Sequence, residues 1–152
     1  MTKLARGGYL ISHINLLNGR LFNKLLAEEE GAVYSGEQGK ILSCLWIAEP
    51  LTATDIAIKT GLANNTLTKM LQRLETQGLI VSSSHPKDKR KRCYYLTELG
   101  KSQEAVGEKV SQALGEIFYK DFSQKEIQQF EKMLTKVMQN LEAASPRWKE
   151  KL

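Results

Sequence analysis

The side chains best equipped for chemistry stand together in Asn64-Asn65-Thr66-Leu67-Thr68-Lys69-Met70-Leu71-Gln72-Arg73-Leu74. Wound as a helix, this stretch puts Leu67, Met70, Leu71 and Leu74 at i, i+3, i+4 and i+7, one apolar stripe. The opposite face carries Asn65, Thr68, Lys69, Gln72 and Arg73, with Asn64 and Thr66 at its leading end. Such a set can inspect base edges. Asn and Gln pair with adenine through two hydrogen bonds, Arg or Lys with guanine, and Thr with either or with a thymine methyl. The chemistry is recognition rather than bond-making. A polar helix face is by itself most often only solvated, so its neighbours decide the reading.

Upstream, Thr52 stands three residues before Asp55, which predicts a capped short helix with negative charge in its first turn. Ile56 and Ala57 face inward, and Gly61 supplies the left-handed residue that ends the helix. Ala57, Gly61, Leu67 and Met70 follow the spacing of a helix-turn-helix. A small residue sits where two helices cross, glycine permits the turn, and the later apolar pair locks the second helix across the first.

Downstream, Gly78 stops the helix, and two β-prone runs follow, Leu79 to Ser84 and Cys93 to Thr97. Between them lies a polar tip, His85 to Arg92, which predicts a hairpin with a long loop. Its cations Lys87, Lys89, Arg90, Lys91 and Arg92 stand against the single anion Asp88. Following a helix-turn-helix, such a tip is a wing able to lie along a phosphate backbone and push an arginine into the minor groove.

Charge agrees with that placement. The chain of 152 residues is 41% apolar and 26% charged with a net charge of +5, the composition of one ordinary globular core. Residues 51–100 hold eight cations against four anions, while the flanks are close to balance. The positive excess thus falls on the reading motif. No apolar run approaches the roughly 20 residues of a membrane span, and no signal-peptide core is visible, so a cytoplasmic protein without a membrane partner is expected.

The stretch from Leu51 to Gly100 resembles the winged helix-turn-helix of the MarR (multiple antibiotic resistance regulator) family. The matching pieces are Leu-Thr-x-x-Asp-Ile-Ala, Thr-Leu-Thr-Lys-Met-Leu-x-Arg-Leu-Glu-x-x-Gly-Leu-Ile, Asp88-Lys89-Arg90 and Leu96-Thr97-Glu98-Leu99-Gly100. The resemblance implies that Arg90 enters the minor groove and that Asp88 helps to fix it. Two departures stand out. His85-Pro86 replaces the usual Asp-Pro of the wing, and Ala63 stands where a serine usually caps the recognition helix, so Asn64 is expected to cap one residue later.

The flanking segments read as helices. From residue 4 to about 28, Leu10, Ile14, Leu17, Leu21 and Leu25 recur at helical spacing, and Tyr9, Ile11, Leu16, Phe22 and Leu26 widen the apolar girth. A helix so apolar in a small protein calls for a partner chain. Glu28-Glu29-Glu30 oppose the helix dipole and predict fraying at its end. Ser35 and Gln38 form a capping box that opens a helix to about Ala48, closed by Pro50. A long helix from Thr97 to about Lys120 follows the wing, weakened by Gly107 and Gly115 at roughly 1 kcal/mol each. Ser123 and Glu126 form another box, opening a helix that ends near Ser145-Pro146.

The expected fold is mainly α with a small β-hairpin wing: a winged helix-turn-helix carried by long N- and C-terminal dimerisation helices. The expected units are residues 1–34 and 101–152 for dimerisation and 35–100 for DNA binding. A two-fold dimer would present two reading helices about one turn of DNA apart, matching a pseudo-palindromic site. Double-stranded DNA and a second copy are the expected partners, and a repressor is the expected role. A wing serving a protein or RNA partner is the alternative, which salt dependence and base specificity would distinguish.

Bond-making chemistry finds no support. Cys44 and Cys93 have no zinc spacing, and His13 and His85 stand apart without acidic partners, so no metal or cofactor is expected. The thiol-sensing relatives keep their cysteine near the start of the first long helix, where this chain has none. No nucleophile and base, phosphate-cradling loop or carboxylate pair appears, and no enzyme is read here. The resemblance implies a crevice between dimer helices and reading domain for phenolic or amphipathic aromatic ligands. Tyr9, His13 and Trp46 join apolar bodies to polar tips and are the candidates to line it.

Overall fold

A computed structural model describes residues 5–145, so Leu4 and Pro146, where two expected helix bounds fall, lie outside the described residues. The chain runs α1 (Gly7–Glu28), α2 (Gly36–Ile47), β1 (Leu51–Thr52), α3 (Ala53–Thr60), α4 (Asn64–Thr76), β2 (Ile80–Ser84), β3 (Arg92–Leu96), α5 (Glu98–Phe118) and α6 (Gln124–Ala143). It is mainly helical with a small antiparallel sheet, as the sequence predicts.

Local chemistry sets most boundaries. The capping boxes Ser35–Gln38, Thr52–Asp55 and Ser123–Glu126 all form, each satisfying two helix-end donors reciprocally. Gly61 (φ 73°) ends α3 and Gly78 (φ 76°) follows α4, both in the left-handed region that other residues rarely enter. Leu79 N then donates to Leu74 O, turning the chain from α4 into β2.

The sheet holds three strands rather than the hairpin alone. β3 lies between β1 and β2, pairing Leu51 with Tyr94 and Thr52 with Cys93 on one side, and Ile80 with Leu96 through Ser84 with Arg92 on the other. Glu49 reinforces this edge, its Oε2 accepting from Leu96 N at 2.7 Å.

One core unites α2, α3, α4 and the sheet: Ile41, Leu42, Leu45, Ile56, Leu67, Leu74 and Leu79 are essentially inaccessible. Burial of that kind stabilises by roughly 1.5–3 kcal/mol per side chain. α1 and α5 join the core through Leu26, Tyr34 in the following loop, and Val110. Gln103, 3% exposed, ties the pieces: its Oε1 accepts from Val33 N at 3.0 Å and its Nε2 donates to Gly31 O at 3.1 Å. Glu29 pairs with Lys109 Nζ at 2.8 Å, so one of the acidic residues expected to fray the end of α1 is tied to α5.

The outer helices are different. Leu10, Ile11, Ile14, Leu16 and Leu17 on α1 are exposed, and α6 buries no residue in the single chain. Met133, Val137, Met138 and Leu141 of α6 all face solvent there.

Candidate nucleic-acid interface

α3 and α4 pack across one another through Ile56 and Ala57 on the first and Leu67, Met70 and Leu71 on the second, so the polar face of α4 has no neighbour to cover it. Asn64, Asn65, Thr66, Thr68, Lys69, Gln72 and Arg73 are all exposed. The expected cap is not made. Ala63, extended and without a side-chain acceptor, occupies the cap position, and Asn64 is already the first helical residue. Asn65 Oδ1 instead accepts from Thr66 N at 2.9 Å, and Thr68 Oγ1 donates to Asn64 O at 2.8 Å.

The wing loop spans residues 85–91 between β2 and β3. Its shape comes from local acceptors. Lys87 N donates to His85 Nδ1 at 3.0 Å, and His85 N donates to Lys91 O at 2.9 Å, so the histidine takes the turn-forming place of the usual aspartate. Asp88 Oδ1 accepts from the backbone N–H of Arg90, and both carboxylate oxygens hold the Arg90 guanidinium. That guanidinium and amide hold the Asp88 carboxyl below its ordinary range, with the charges of Lys91 and His85 adding to the effect. Lys87, Lys89 and Lys91 are exposed around it. Arg92 belongs to β3 rather than to the tip, and its Nε donates to Ser82 Oγ across the hairpin.

Two clefts flank the reading unit. One, of about 880 Å³, lies between Lys69, Gln72, Arg73 and Thr76 of α4 and the segment from Ala32 to Gln38. Gln38 Nε2 donates to Gln77 Oε1 at 2.6 Å beside it, joining the start of α2 to the end of α4. The other, of about 800 Å³, lies among α1, α2 and α5 and is lined by Arg20, Phe22, Tyr34, Trp46, Ile47 and Gly107 among others. Trp46 is fixed there, donating from Nε1 to Gly100 O at 2.9 Å and meeting Tyr34 edge-on at 5.8 Å. Tyr9 and His13 are not among the residues of either cleft. They stack on each other at 6.1 Å on exposed α1, with Arg6 over the Tyr9 ring, so the single chain does not bring the three ligand candidates together.

Gln38, Gln77 and Gln103 were not legible as linking residues, because each bond joins positions far apart in sequence. The thiols are placed quietly. Cys93 is fully buried, and burial raises Cys44 above its ordinary value, its Sγ lying 3.2 Å from Lys40 O. Among the described residues no group of three or more His, Cys, Asp or Glu side chains could hold a metal, and no helix is long and apolar enough to cross a membrane.

A reading helix crossed on a scaffold helix, beside a basic antiparallel loop, defines a winged helix-turn-helix, a fold of DNA-binding regulators. Residues 35–91 match the family model described as MarR family. Among solved structures the chain resembles wild-type MarR from E. coli in its apo form, with 26% identity and a TM-score of 0.77 over 90% of this chain and 98% of that one. A cysteine-to-serine mutant of E. coli MarR, complexed with operator DNA, matches at 26% identity and a TM-score of 0.70, covering 90% and 99%. A MarR transcriptional regulator from Methanosarcina mazei Go1 shares the fold at 20% identity and a TM-score of 0.77, covering 88% and 94%. No curated protein matches the chain. Residues 35–91 thus carry the winged helix-turn-helix of the MarR family model, and the chain as a whole resembles MarR regulators of known structure.

Proposed function

We propose that this chain is a homodimeric, sequence-specific repressor that grips a pseudo-palindromic operator and is released by a small amphipathic aromatic ligand. The observation that carries the reading is the pairing of an uncovered polar face on α4 with a wing that presents Arg90, 91% exposed, on an Asp88 fork. Asn64, Asn65, Thr66, Thr68, Lys69, Gln72 and Arg73 would face the major groove and its phosphates. Lys87, Asp88, Lys89, Arg90, Lys91 and Arg92 would serve the neighbouring minor groove and backbone. The operator complex of the E. coli relative supports this reading.

Dimerisation is supported by the exposed apolar residues of α1 and α6, which a second copy would cover. The division into residues 1–34, 35–100 and 101–152 follows, with α5 starting just inside the reading unit. The cleft around Trp46 has the size of a small-ligand site and joins a dimer helix to the scaffold helix α2. Tyr9 and His13 would reach such a site only if the dimer brings them there. A ligand acts through its differential affinity for the dimer with wrongly spaced reading helices. No enzymatic role is proposed.

Sedimentation and titration of a labelled operator duplex test this together. A dimer making six to ten phosphate contacts should lose on the order of 10³–10⁵ in affinity between 50 and 200 mM salt. A strict monomer indifferent to duplex DNA at low salt would overturn the proposal.

A further inference from the structure

Resting on the proposal that α4 reads DNA, we infer that Thr68 selects a thymine through methyl contact and does not act as a hydrogen-bond donor to the base. A threonine hydroxyl has one proton, and Thr68 donates its own to the Asn64 carbonyl at 2.8 Å. The guanine edge offers N7 and O6, both acceptors, which Thr68 cannot satisfy without breaking that bond. An A·T pair also carries acceptors, N7 and O4, but it alone adds a 5-methyl group, which the threonine methyl can meet while the hydroxyl proton stays on Asn64.

The surroundings favour the same pair. Asn65 and Gln72, about one turn to either side, carry the donor-acceptor amide that matches adenine. The cations that seek guanine or phosphate are set to one flank. Lys69 and Arg73, together with Gln72, line the cleft facing the start of α2, whereas Asn65 and Thr68 do not. Asn65 and Thr68 therefore share a side of α4 away from that cleft, where their groups suit an A·T pair.

The test uses the full-length protein and the tightest duplex recovered from a randomised pool, with each half-site thymine replaced in turn by deoxyuridine. One replacement should weaken wild-type binding about fourfold, the worth of one buried methyl-sized group. Thr68→Val keeps the methyl and should show the same thymine preference. Thr68→Ser keeps only the hydroxyl, should bind the original duplex about fourfold more weakly, and should ignore the replacement. Both changes fall on an exposed position, so folding is preserved. Indifference of the wild type to every uracil, or a serine variant that keeps the preference while valine loses it, overturns this inference alone. Recovery of no duplex at all overturns the DNA-reading function and this inference with it.

Discussion

Asp88 grips Arg90 three times: Oδ1 accepts from the backbone N–H at 3.0 Å and from Nε at 3.1 Å, and Oδ2 accepts from Nη2 at 3.3 Å. The Arg90 side chain is 91% exposed, so the fork serves orientation far more than stability. An arginine held in one direction loses less freedom when it enters a groove than a loose one would. Arg90→Ala should therefore weaken binding to all duplexes nearly equally and lower the salt slope by about 1. Titrations of specific and scrambled duplexes at several salt concentrations read both effects, and unchanged affinity would remove the wing from the interface.

The same fork has a pH signature. The Arg90 guanidinium and amide hold the Asp88 carboxyl below the usual carboxylate range. For a group whose folded value is depressed, the favourable contribution is complete above the unfolded value and disappears as pH falls through the folded one. Wing order should thus persist through neutral and mildly acidic pH and fail only below the ordinary carboxylate range. A carbon-detected carboxyl titration should place Asp88 below a free aspartate, and Arg90→Ala should move it back upward. A midpoint at or above the ordinary value in the native chain would contradict the fork.

Asn65 and Gln72 sit on the exposed face of α4; the Gln72 carbonyl accepts from Thr76 Oγ1 at 2.9 Å, while its side-chain amide makes no hydrogen bond among the described residues. Replacing either by Ala should reorder the affinities of related operators, with about 1–3 kcal/mol of discrimination lost at one base pair. Competition binding against single-base operator variants measures it. An unchanged ranking for both variants would place the reading face elsewhere.

Gln103 supports the whole from behind. Gln103→Leu keeps the volume but strips partners from Val33 N and Gly31 O, a cost of about 2 kcal/mol or more. Urea unfolding should show it as a lower midpoint at an unchanged slope. An unaltered midpoint would mean that water replaces the amide without loss.

These residues divide by how far apart their partners lie in the chain. The capping boxes at Ser35, Thr52 and Ser123 and the stop at Gly61 are contacts within a few residues, and the sequence predicts each of them. The stripe Leu67, Leu71 and Leu74 is legible for the same reason. β1 escapes because Leu51 and Thr52 are a strand only through pairing with Tyr94 and Cys93. Trp46 reads as a ligand candidate by type alone, whereas its indole N–H is engaged by Gly100 O from the first turn of α5. Asn64 reads as a cap by type as well, yet the helix begins one residue too early for it.

Two glycines of α5 look equivalent in the sequence, each weakening the helix. Their surroundings separate them. A methyl group on Gly107 would meet the Tyr34 hydroxyl at 2.7 Å and the Trp46 ring at 3.4 Å, whereas one on Gly115 meets nothing within 4 Å in the single chain. Tyr34 is buried and Trp46 is pinned to Gly100, so neither can step aside freely. Gly107→Ala should therefore destabilise by about 1–3 kcal/mol, overpacking outweighing the gain in helix propensity. Gly115→Ala should instead stabilise by about 1 kcal/mol. Thermal unfolding of the two variants at matched concentration compares them directly. If Gly115→Ala destabilised as well, the open space beside it must be filled in the folded assembly, and the shift of its unfolding temperature with protein concentration would show whether a second copy fills it.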